Sequence, residues 1–125
     1  MSGTPYGPKI VICFTNQSAD ETLGPWIPVR GANNVSFYMS GVGTTSSGVV
    51  SIETTTQVSS DPNAPVFGVT TGGYPTIATM NASAVTGGLQ TFVALPPNVA
   101  YGFVRARIST AIGGGGTVSV QAEVS

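Results

Sequence analysis

Residues 101–124 read YGFVRARISTAIGGGGTVSVQAEV, and this stretch decides the fold. Val104, Ala106 and Ile108 alternate with Tyr101, Phe103, Arg105 and Arg107. After four glycines, Val118, Val120, Ala122 and Val124 alternate with Thr117, Ser119, Gln121 and Glu123. A period of two over this length is that of strands with one face in a core. The pattern predicts a long antiparallel hairpin, its inner face apolar and its glycine run a connection needing positive φ. The outer face of the first strand is the unusual part. Two aromatics and two arginines in succession exceed what a solvated strand face requires. Tyr101, Phe103, Arg105 and Arg107 are therefore the first candidates for a contact surface, since aromatics and arginine are enriched at interface centres.

Working outward, 35–40 and 49–57 alternate in the same way around a Gly/Ser/Thr loop and predict a second hairpin. Residues 10–16 form a first strand and 89–95 a strand stopped by Pro96-Pro97. Residues 65–69 predict a short strand after the turn cluster that begins at Asp61. The segment 24–30, GPWIPVR, carries two prolines and reads as an edge segment or irregular crossing. Residues 74–83 are open between weak strand and loop. Nothing has a capped helical period. About eight short strands separated by Gly, Pro, Asn and Ser predict an all-β fold, a single antiparallel β-sandwich, jelly-roll-like or Ig-like. Its domain covers 10–125, and 1–9 forms an extended N-terminal arm on which Tyr6 is the candidate anchor to a neighbouring subunit.

Only 7% of the residues are charged, the net charge is −1, and there are four basic residues. Four are too few for a phosphate-tracking surface, so nucleic acid is not an expected partner. A surface so poor in charge invites cover by another molecule, and self-association is the expectation. No apolar run approaches a bilayer span, and 1–10 lack the apolar core of a secretory signal. The expectation is a protein made in a cytoplasm, not secreted, with no membrane partner.

The inventory for chemistry is short. There is no histidine, the commonest general base and metal ligand. Cys13 lies in the apolar run IVICF and reads as a buried small hydrophobe. Asp20 and Glu21 read as solvated loop residues. Glu53 and Glu123 would make a glycosidase pair if their strands were neighbours; each is better read as a cross-strand partner of Arg105 or Arg107. No catalytic residue, cofactor or metal site is assigned. Trp26 reads as a core plug between sheets, or as a stacking platform together with Tyr38 and Tyr74.

The phrases Trp26-Ile-Pro-Val, VSFYMSG, GVVSIETT and YGFVRARIST–glycines–TVSVQAEV, within 24–124, resemble small β-sandwich structural proteins of tailed bacteriophages. Such proteins decorate heads or form parts of tails and fibres. The resemblance implies a virion protein, a homo-oligomer and most simply a trimer, attached to the major capsid protein or another virion protein. On that reading the chain is a capsid decoration or cement protein that stabilises the head by contact. The alternative is a tail or fibre module that binds host-surface carbohydrate, with Trp26, Tyr38 and Tyr74 stacking on sugar and the 41–48 loop at the tip.

Overall fold

The computed structural model describes residues 9–55, 74–96 and 102–125. Tyr6, Tyr101, the 1–8 part of the expected arm and the expected 65–69 strand lie outside them. Among the described residues the chain forms eight strands: β1 (Lys9–Gln17), β2 (Ile27–Pro28), β3 (Val35–Val42), β4 (Ser47–Thr55), β5 (Thr76–Asn81), β6 (Gln90–Ala94), β7 (Phe103–Gly113) and β8 (Thr117–Val124). A 3-10 turn, Ala82–Val85, joins β5 to the loop before β6. The open segment 74–83 is thus a strand that ends in a turn.

The strands build two four-stranded sheets, β1-β8-β3-β6 in front and β2-β7-β4-β5 behind. Every pairing is antiparallel, and the pairs are nested: β1 with β8, β2 with β7, β3 with β6, β4 with β5. A long antiparallel ribbon has been rolled so that β8 also meets β3 and β7 also meets β4. This is the double-sheet jelly roll, which settles the choice left open against an Ig-like order.

The rolling corrects both predicted hairpins. β7 and β8 lie in different sheets, as do β3 and β4. Alternation fixes which face of a strand is buried, not which strand it pairs with. What separates the strands is the way the two connections lie side by side. Ser46 N–H donates to Gly113 O at 2.9 Å, and Gly116 N–H donates to Thr44 O at 2.8 Å. Each connection thereby satisfies the other's backbone as it passes from one sheet to the other. Gly114 and Gly115 have φ of 99° and 88°, as a glycine run there requires.

The core lies between the sheets. Val104, Ala106 and Ile108 of β7 meet Val118, Val120 and Ala122 of β8 across the sandwich, all essentially inaccessible, with Phe37, Met39, Val50 and Ile52. The predicted inner faces are therefore correct, although the two strands confront each other rather than pair. Fully burying each of the valine, isoleucine, methionine and phenylalanine side chains contributes about 1.5–3 kcal/mol. Cys13 faces this core beside Gly24, whose backbone approaches so closely that an added Cβ would sit 3.0 Å from Cys13 Cβ.

Candidate functional site

Two outer faces remain, and they differ in kind. On the back sheet, the outward residues of β7 meet the outward residues of β4: Phe103 opposite Thr55, Arg105 opposite Glu53, Arg107 opposite Ser51. The sequence places these residues on an open face. In the structure Phe103 and Arg105 are only 3% and 5% exposed within the single chain, and Glu53 is not exposed at all.

The closure has a local cause. Segment 21–28 runs beside β7, tied by Glu21 N–H to Ile108 O, Ile108 N–H to Thr22 O and Gly24 N–H to Ala106 O. It continues into the two-residue pairing of β2, so the proline-rich segment is an edge, as its composition predicts. This path carries Trp26 onto Arg105, whose guanidinium carbon lies 4.5 Å from the Trp26 ring centre and 5.2 Å from that of Tyr74. The two rings meet edge to face at 4.8 Å. Trp26 thus lies on the outside of the back sheet rather than between the sheets.

Beneath the rings lies an ionic chain. Arg105 Nε donates to Glu53 Oε1 at 2.8 Å, Arg107 Nε to Glu53 Oε2 at 2.7 Å, and Arg107 Nη1 to Glu21 Oε2 at 2.5 Å. Two cations and two anions balance. They are four of the chain's nine charged residues, four basic and five acidic in all. Glu53 is a cross-strand partner of an arginine, as expected, but it takes both Arg105 and Arg107, and the partnership expected of Glu123 is absent. Glu21 is half-exposed but paired, not simply solvated. Glu123 is not part of the cluster: it sits on the front sheet opposite Ile10 and Ser36. The Glu53–Glu123 pairing needed for glycosidase chemistry does not exist, because the two strands belong to different sheets. Cys13 is buried, and desolvation pushes its thiol up to about 12, which leaves it a protonated core residue.

The outer face of the front sheet is open. Across it run Ile12, Gln121, Tyr38 and Phe92, each directly opposite the next. The adjacent row holds Ser119, Ser40 and Gln90. Tyr38 and Phe92 stack at 5.6 Å with their planes 26° apart. Phe92 and Ile12 are 62% and 58% exposed, and Ile10 and Val42 on the same face are also exposed. Tyr38, Ser40, Gln90, Ser119 and Gln121 border a hollow of about 240 Å³. Of the three aromatics expected to form one platform, Trp26 and Tyr74 come together on the back sheet and Tyr38 stands on the other side of the molecule. Sequence reasoning missed Ile10, Ile12 and Phe92 as surface residues. The signal was available in 10–13, where both alternating faces of β1 are apolar although a strand of a two-layer sandwich buries only one.

Among the described residues no group of three His, Cys, Asp or Glu could hold a metal ion, and no helix is long and apolar enough to cross a membrane. No family model matches the chain, and no curated protein matches it. Among solved structures it is similar to a chain from a marine algae virus of the order Picornavirales, with 9% identity and a TM-score of 0.44, over 94% of this chain and 67% of that one. A likeness at this level assigns the chain neither a family nor a role.

Proposed function

We propose that this chain is a structural, non-catalytic virion protein: a capsid decoration or cement protein of a tailed phage, acting as a homo-oligomer, most simply a trimer, on the major capsid protein. The observation that carries the reading is the placement of apolar side chains on an almost uncharged chain. Ile10 and Ile12 stand exposed along β1, which among the described residues is one of the two edges of the front sheet. Isolated exposed apolar residues are ordinary, but a run of them on an edge strand is a contact surface. Jelly rolls recur in capsid and lectin domains, which makes the reading compatible with the fold but does not by itself assign it.

The contact surface therefore moves from Phe103 and Arg105, which the chain itself covers, to the β1 edge. Its role is mechanical. A subunit that binds only the assembled lattice raises the free energy needed to take that lattice apart. Ile12→Asp should leave the sandwich folded, lower the mass of the purified protein in solution and weaken its retention on empty capsids. Unchanged mass and retention would refute the reading.

A further inference from the structure

We infer that the hollow on the front sheet is a binding site for a neutral saccharide, a function beyond the assembly reading, with which it shares only Ile12 at its border. The hollow arises from side-chain lengths on one strand face. Gln121, Tyr38 and Phe92 form one row, and Ser119, Ser40 and Gln90 the next. Two short serines side by side sink the floor between taller neighbours. Tyr38, stacked on Phe92, is the wall. Two rows across three strands cover about 7 by 10 Å, the footprint of one or two sugar rings.

The chemistry of the lining selects the ligand class. No Asp, Glu, Lys or Arg borders the hollow. A charged ligand would lose its hydration there and gain no counter-charge. The polar groups are side-chain amides and hydroxyls, which both donate and accept. Among the described residues the amides of Gln90 and Gln121 and the hydroxyl of Ser40 hold no side-chain hydrogen bond, while Ser119 Oγ already accepts from Asn16 N–H at 2.9 Å. Three uncommitted groups therefore converge beside an aromatic wall. A sugar ring offers the complement: hydroxyls around its rim, each donor and acceptor, and C–H groups on its face. An acyl chain would leave the amides unpaired, and an extended peptide would pair with a sheet edge rather than lie across a face.

The test is an array of neutral hexose and N-acetylhexosamine oligosaccharides beside sialylated and sulfated ones, probed with the native protein and with Tyr38→Ala and Gln90→Ala. Tyr38→Ala is checked for folding by circular dichroism; Gln90 is exposed, so its truncation leaves the core untouched. The expected result is binding to at least one neutral glycan, weakened about tenfold or more by each substitution and unchanged in Ile10→Asp. Titration with the bound glycan should shift the side-chain amide NMR signals of Gln90 and Gln121. Binding of acidic glycans only, no binding, or binding indifferent to both substitutions overturns the inference. So does shielding of both amides from a soluble paramagnetic agent in the unliganded oligomer, because a second copy would then own the hollow.

Discussion

Glu53 stands directly opposite Arg105 across the β4–β7 pair, and its Oε1 accepts the Arg105 Nε at 2.8 Å in the interior of the molecule. Its other oxygen serves Arg107. The two guanidiniums thus share one fully buried carboxylate, and half-exposed Glu21 supplies the second anion at the Arg107 end. A buried ion pair adds little net stability over an apolar substitute, yet removing one member strands the other.

Glu53→Gln should therefore lower unfolding stability by about 3–5 kcal/mol, read from urea denaturation. The paired replacement Glu53→Leu with Arg105→Met should recover much of that loss. A single-substitution cost below about 1 kcal/mol, the range of exposed pairs, would show that the cluster is not held as described.

Trp26 is the only tryptophan, and it lies over Arg105. Trp26→Ala should cost about 2 kcal/mol, the scale of a desolvated cation–π contact, and Trp26→Phe much less. The change should appear as a lower denaturation midpoint with the mass in solution unaltered. Phe103→Asp, on the same buried face, should fail to fold rather than fail to assemble.

How much of this was legible in the sequence divides along a physical line. Alternation placed Val104, Ala106, Ile108, Val118 and Val120 in the core because a strand's period specifies its faces. It said nothing of partners, so β7 and β8 read as a hairpin although each pairs in a different sheet. The Glu53–Arg pairing was legible because opposite charges at outward positions seek each other. Its burial was not, since Trp26 and Tyr74 reach Arg105 from distant segments and only the folded path shows that they arrive. The hollow was illegible for the same reason: Ser40, Ser119 and Gln90 belong to three strands whose register the sequence does not state.

Gly48 has φ of 116°, and an added Cβ would lie 2.7 Å from Ile112 Cδ1 and 2.8 Å from Ile112 Cα. Gly48→Ala meets both a disfavoured backbone and an occupied space. The expected loss is about 1–3 kcal/mol. Gly87, whose φ is also positive but which has open space around it, should tolerate alanine better in the same denaturation series.

The Cys13 thiol supplies the pH dependence. Its ordinary value of 9.0 is raised to about 12 by burial, so the unfolded chain ionises first as pH rises. The native state then holds the extra proton, and stability falls between about pH 9 and pH 12 while being unaffected by this group below that window. Cys13→Ala should flatten the alkaline slope. Iodoacetamide should label Cys13 slowly at pH 8.5 in buffer and quickly in urea; equal rates would contradict the burial.

The nested pairing sets an order of assembly. β4 and β5 are close along the chain, whereas Lys9 pairs with Val124, and each pair outward from the centre closes a longer loop at a greater entropic cost. A fold built this way has a high contact order and belongs among the proteins that fold in milliseconds to seconds. The β1–β8 pair closes the longest loop and β1 is an edge strand, so hydrogen exchange should be faster on β1 than on the central strands β4 and β7. If the β1 edge is the contact surface, assembly would give it a partner on its unpaired side and slow its exchange, which links oligomer formation to the stability of the longest-range pair in the fold.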